Sequence, residues 1–219
     1  MRRSQGLGSS TLPPGTMAYY RIPKLNPDKN LQAYIIGLAI GDGNLSNPNN
    51  RATRLRITCD TKYPILIKTI ATSLELLFPE NKVNIQKSKG NYVNVSIYSN
   101  HLENLLGWKV GSGSKFIQNV STPEWIKEKD EYKIKYLRGL IETDGCIYTD
   151  RGYKMVIFST IIEKLANEVY AFINSLGFAP KIYKIPPPKE PEWDQKIKYQ
   201  VRLSKDVQKF LDLVKPDKS

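Results

Sequence analysis

Residues 34–43 read YIIGLAIGDG, and residues 136–145 read YLRGLIETDG. Tyr34, Gly37, Leu38, Asp42 and Gly43 recur at identical spacing as Tyr136, Gly139, Leu140, Asp144 and Gly145. The two phrases lie nearly half the chain apart, so each heads about half of it. A duplicated half with one acid per copy predicts a pseudo-symmetric protein with two equivalent chemical centres.

Each phrase reads as the last turns of a helix. Gly37 and Gly41 are four residues apart and share a face, as do Gly139 and Thr143. Small residues on such a stripe let two helix backbones pack closely. Glycine inside a helix costs roughly 1 kcal/mol against alanine, so a repeated run of it implies a packing reason. Gly43 and Gly145 are then expected to terminate the helices in the left-handed conformation. Asp42 and Asp144 fall at helix C-termini, where the dipole is already negative. Packing the helices side by side brings the acids near each other, and repulsion and desolvation both raise their pKa values. A hard divalent cation resolves that conflict, because carboxylate and free helix-end carbonyl oxygens suit Mg²⁺. One Asp-Gly alone would read as a cap or turn; two at matched positions in a basic chain point to a metal centre.

The chain has 219 residues, with 33 Lys and Arg against 21 Asp and Glu, a formal net charge of +12. That surplus points to a polyanion, above all nucleic acid, ahead of an anionic membrane surface. Cys59 and Cys146 offer neither metal spacing nor a disulfide framework, which fits a reducing compartment, a bacterial cytoplasm or an organelle. A single histidine, His101, argues against paired-histidine chemistry. No apolar run approaches the roughly 20 residues needed to span a membrane. Residues 1–16 lack the apolar core of a signal peptide and read as a disordered tail or an expression remnant, with Met17 a candidate start.

Downstream of each phrase the resemblance between the halves continues. Residues 54–78 and 153–178 each carry a β-rich run leading into an amphipathic helix that ends at Phe78 or Phe178. Residues 82–100 and 181–205 each read as a hairpin, the second closed by a longer Pro-rich loop. Residues 99–110 and 204–215 each form a short helix with a lysine just past its end. Gly111–Ser114 is flexible, and Thr122, Pro123 and Glu124 start a helix. The organisation is therefore an N-terminal half at 17–110, a connection and the start of the second phrase's helix at 111–135, and a C-terminal half at 136–219. The strands alternate with period two. Leu55, Ile57, Cys59, Val83, Ile85, Val93, Val95, Ile97, Ile197, Tyr199, Val201 and Leu203 form the buried faces. Arg54, Arg56, Thr58, Asn84, Gln86, Tyr92, Asn94, Ser96, Lys196, Lys198, Gln200 and Arg202 form the opposite faces. Those faces are nearly free of acids and rich in groups that donate and accept at base edges, which suits a β-ribbon in the major groove.

The two phrases closely resemble the LAGLIDADG motif of homing endonucleases, in the single-chain form that carries the motif twice, and the resemblance runs from about residue 25 to 215. It implies a mixed α/β fold: two αββαββα halves related by a pseudo-twofold axis, saddle-shaped antiparallel sheets, and the motif helices paired at the interface. It implies cleavage of both strands of a long double-stranded DNA target by a monomer, leaving short 3′ overhangs. Asp42 and Asp144 match the metal-binding acid, and Gly41 and Thr143 the position whose carbonyl also faces the metal. Mg²⁺ is the implied cofactor, with Mn²⁺ or Ca²⁺ able to substitute for binding. Ile40 and Glu142 share the sixth motif position and differ, so the centres are not chemically identical. In the family a lysine from each half approaches the scissile phosphate; Lys109 and Lys215 stand at equivalent places, with Lys115 a rival to the first and a DNA contact otherwise. The alternatives on the same scaffold are an RNA maturase acting on its own intron and a non-catalytic DNA-binding regulator.

Overall fold

The computed structural model describes residues 25–48, 50–188 and 195–218; the expected tail at 1–16, Met17 and the middle of the Pro-rich loop lie outside them. The N-terminal half runs α1 (Lys29–Asp42), β1 (Gly43–Ser46), β2 (Arg54–Asp60), α2 (Pro64–Leu77), β3 (Asn84–Lys87), β4 (Tyr92–Tyr98) and α3 (Leu102–Leu106). A one-turn helix α4 (Glu124–Lys127) follows. The C-terminal half repeats the order as α5 (Asp130–Thr143), β5 (Gly145–Asp150), β6 (Tyr153–Thr160), α6 (Glu163–Ser175), β7 (Lys181–Ile185), β8 (Lys198–Leu203) and α7 (Val207–Val214). Each half is thus αββαββα, and the sheets have matching antiparallel orders, β1-β2-β4-β3 and β5-β6-β8-β7.

The interface between halves is α1 against α5. In α1 every residue from Gln32 to Ile40 is buried, as expected of a helix apolar on all sides. A Cβ on Gly139 would lie 2.5 Å from the Tyr34 carbonyl oxygen and 2.6 Å from the Leu38 nitrogen. A Cβ on Gly37 would run into the Tyr136 carbonyl, and one on Gly41 into the Thr143 side chain. Both steps of the small-residue stripe are therefore used. Asp28 caps α1, its Oδ1 accepting from the backbone N–H of Asn30 at 2.8 Å and of Leu31 at 3.3 Å. The connection starts the single turn α4 at Glu124, and the second interface helix begins separately at Asp130.

Four expectations change. Gly43 ends α1 in extended conformation (φ −76°, ψ 140°), and Gly145 is not among the left-handed glycines either. The chain passes directly from helix into strand, and glycine is needed for space: a Cβ at Gly43 would lie 2.6 Å from Ala39 Cα, and one at Gly145 2.5 Å from Ile141 Cα. The helix α6 stops at Ser175, before Phe178, because Gly177 turns left-handed (φ 88°) and Phe178 N–H returns to the Ile173 carbonyl. Ile85 is 54% exposed and Ile197 37%, since Ile85 lies on the edge strand β3 and Ile197 precedes β8, where nothing packs over them. Ser96 is buried: it is small and flanked in register by the longer Arg56 and Asn84.

Replacing Gly139 by alanine is expected to destabilise the protein by about 2 kcal/mol through overpacking, outweighing the helix-propensity gain of about 1 kcal/mol. The check is a lowered urea midpoint at unchanged m-value.

Candidate active site

Asp42 closes α1 and Asp144 caps α5, so both carboxylates emerge from the same end of the helix pair. They occupy two separate hollows. One, of about 380 Å³, is lined by Asp144 together with Gly41 of the opposite helix and Lys115. The other, of about 150 Å³, is lined by Asp42 together with Thr143 of the opposite helix and Lys218. Each acid thus shares its hollow with the helix-end residue of the other half, and the pseudo-twofold axis runs between them.

A lysine serves each hollow. Lys115 Nζ donates to the carbonyl oxygens of Ile40 and Gly41 at 2.5 Å and of Ala39 at 3.3 Å, covering the last turn of α1. Lys218 Nζ donates to the carbonyl oxygens of Thr143 at 2.8 Å and Gly145 at 2.9 Å, at the end of α5. A cation at a helix C-terminus meets both the orphan carbonyls and the dipole.

The electrostatics follow the same pairing. Both acids open to solvent, yet the surrounding protein desolvates them. Desolvation raises the Asp42 carboxyl above its ordinary value; Lys218 and then Lys115 oppose that rise. For Asp144, desolvation and then the Asp42 charge raise the carboxyl to about 6, opposed first by Lys115 and then by Lys218. Desolvation lowers both lysines, each held up most by the acid of its own hollow. The two centres are near enough to feel each other, and each has its own cation.

A divalent ion fits this donor set. Each hollow offers one carboxylate and a helix-end carbonyl that already accepts from a positive group. Among the described residues no cluster of three or more His, Cys, Asp or Glu could hold a metal, so an ion in either hollow would need phosphate and water to complete its shell.

Lys109 and Lys215 do not join the centres. Lys109 sits at the start of the connecting loop, its backbone N–H and carbonyl both bonded to Gln118, and Lys215 is the left-handed cap of α7 (φ 52°). Each stands just past the last helix of its half, and the chain continues from it before a lysine, Lys115 or Lys218, turns inward. Lys115 is the rival candidate that the sequence offers; Lys218 is not marked in the sequence, because no spacing links it to Lys115.

The polar sheet faces assemble as rows. Arg56, Ser96 and Asn84 stand in register across three strands, as do Thr58, Asn94 and Gln86, with Thr58 Oγ1 bonding Asn94 Oδ1 at 2.9 Å. In the second sheet Arg202 stands between Ile157 and Lys181, Gln200 between Ser159 and Tyr183, and Lys198 beside Ile185. Arg54 lies at the strand end, its Nε on Ser46 Oγ at 3.1 Å, and Tyr92 pairs with Asp60. Neither Arg56 nor Arg202 has a partner for Nε. Lys196 precedes β8. Asn44, in register with Arg56, and Lys181 and Tyr183 on β7 extend these surfaces beyond the residues named from sequence. No helix among the described residues is long and apolar enough to cross a membrane.

Residues 131–215 match the family model described as LAGLIDADG-like domain. A comparison with curated protein sequences found no match. Among solved structures, the homing endonuclease I-DmoI in complex with DNA and Mn is similar at TM-score 0.58 and 20% identity, over 87% of this chain and 97% of that one. A structure of an I-DmoI variant with its target DNA and 2 mM Mg gives TM-score 0.61 and 19% identity, over 85% of this chain and 96% of that one. Full-length DUF199/WhiA from Thermatoga maritima gives TM-score 0.57 and 13% identity, over 88% of this chain and 57% of that one. At these identities the structural likeness establishes the fold.

The raised Asp144 carboxyl yields a test. Between the ordinary value of 3.8 and about 6 the folded protein holds a proton that the unfolded chain releases. This contribution to stability is present at low pH and is lost as pH rises through that window. A divalent ion held by Asp144 would compete with the same proton, so an increment in Tm on adding Mg²⁺ should be larger near about pH 7.5 than near about pH 5. Asp144→Asn should remove most of the difference between the two pH values, as measured by thermal denaturation.

Proposed function

We propose that this chain, a member of the LAGLIDADG family by its matched C-terminal half and its fold, is a site-specific endonuclease that cuts both strands of duplex DNA with a divalent metal. The observation that carries this reading is the pair of crossed centres, each with one acid, one helix-end carbonyl and one lysine. Asp144 with Gly41 would hold one ion, and Asp42 with Thr143 the other. When bound, the ion supplies charge that stabilises phosphate oxygens and acidifies a water. The chain's own part is to fix the two carboxylates and to keep each ammonium beside the position of a scissile phosphate. With its single histidine at position 101, outside both hollows, the chain has no imidazole for proton transfer there.

The sheet faces would carry the duplex. Rows of Arg, Asn, Gln, Thr and Lys spaced across neighbouring strands suit base edges and phosphates along the major groove. The net charge of +12 would make binding fall steeply with salt through counterion release. Because one chain carries both halves, a monomer suffices for both strands; short 3′ overhangs are what the resemblance to homing endonucleases implies. Mg²⁺ is the proposed ion. Retention of both Asp42 and Asp144, each beside a lysine, favours the nuclease over a non-cutting regulator or an intron-binding maturase on this scaffold.

The decisive experiment offers a randomised duplex library and Mg²⁺, and sequences the cleaved ends. Asp42→Asn and Asp144→Asn should each lower cleavage by about 100-fold or more while largely keeping DNA affinity; undiminished cleavage by both would overturn the assignment. Gln200→Ala should relax base preference on one side of the recovered site. Equal weakening across all sequences would mark Gln200 as a phosphate contact instead.

A further inference from the structure

The segment after α7, Pro216 to Lys218, lies against the helix pair, and what holds it is long-range. Asp217 N–H donates to Glu142 Oε1 at 2.7 Å. Asp217 Oδ2 accepts from Arg138 Nη2 at 2.9 Å and from Thr69 Oγ1 of α2 at 2.6 Å. Arg138 Nε donates to Glu142 Oε1 at 2.9 Å, and the Tyr34 hydroxyl donates to Glu142 Oε2 at 2.6 Å. The Glu142 side chain is wholly buried, and those of Arg138 and Asp217 are 19% and 24% exposed. Charge-assisted bonds in such surroundings are strong and directional. The residue next to Asp217 is Lys218, whose ammonium ends at Thr143 and Gly145 in the Asp42 hollow.

Among the described residues the other half has no counterpart. Ile40 stands where Glu142 stands. Lys115 is carried by a loop stapled to itself: Gln118 bonds Lys109 on both sides and the Gly113 carbonyl, and Glu103 accepts from Val110 N–H. The two lysines are therefore placed by independent scaffolds, one local and one bridging both halves.

We propose that Glu142, Arg138 and Asp217 form a clasp that positions Lys218 in the Asp42 centre alone, so that the clasp governs one of the two strand cuts. These are positioning residues: none reaches the reacting phosphate, and each acts through the neighbour it fixes. The proposal rests on the nuclease reading and adds an asymmetry to it, since the sixth motif position has a task in one half only.

The test uses the duplex recovered from the library with wild-type protein, labelled separately on each strand. Asp217→Ala should slow one strand's cut by about 10- to 100-fold, the cost of a small misplacement, and leave the other near the wild-type rate. Thr69→Val, which removes one donor without touching either motif helix, should act in the same direction and more weakly. Gln118→Ala should slow the opposite strand. Equal slowing of both strands by Asp217→Ala, or none, overturns the proposal. A second readout needs no cleavage: acylation of surface amines, mapped by peptide mass, should find Lys218 protected in the wild type and several-fold more reactive in Asp217→Ala. Unchanged protection also overturns the clasp. Failure of the wild type to cut any duplex would instead count against the nuclease reading, and the acylation result would still decide the clasp.

Discussion

Two helix backbones in direct contact, with no side chain between them at Gly37 and Gly139, are the constraint on which the rest of the molecule depends. The contact is expensive locally, because glycine weakens each helix. It is repaid by the burial of α1 from Gln32 to Ile40 and by the core that both sheets build around it. It also dictates the chemistry. Helices this close that end at the same level must bring two negative termini, each bearing an aspartate, into one neighbourhood. Burial then raises both carboxyls, the Asp42 charge raises that of Asp144 further, and only positive charge can settle the region. The fold supplies some of it as Lys115 and Lys218 and leaves carboxylate oxygens for more.

The sheets follow from the same contact. Gly43 and Gly145 pass straight from helix to strand, packed too tightly on the preceding turn to carry a Cβ. Each acid is therefore followed at once by β1 or β5, and each sheet begins at its own centre. Arg56 and Arg202 make the near-symmetry visible. Arg56 lies on β2 with Ser96 opposite on β4, while Arg202 lies on β8 with Ile157 opposite on β6. A guanidinium thus occupies corresponding cross-strand pairs from different strands, so the two surfaces share a shape and differ in what they present.

Much of this was legible in the sequence because it is periodic. Spacing gave the motif helices, their shared small-residue face and the paired acids; alternation gave the strands and, for most positions, their faces. What escaped depends on contacts that spacing does not record. Ile85 and Ile197 alternate correctly yet have nothing above them. Ser96 alternates correctly yet is covered by longer neighbours. Gly43 resembles a helix terminator, and only the closeness of Ala39 shows that it is a space requirement. Lys218 is the clearest case: its place beside Thr143 and Gly145 follows a network joining residues 34, 69, 138, 142 and 217, and no local pattern marks it.

The glycine contact has a geometric corollary. Side chains can shift rotamer to let surfaces slide, but backbones pressed together have no such slack. The halves have little freedom to part or to slip along the contact. The separation of Asp42 from Asp144 is consequently a property of the protein, fixed before any nucleic acid arrives. For an enzyme of the proposed kind, the stagger between the two nicks would be a ruler built into the helix pair, and the double helix, being the softer body, would have to deform to fit it.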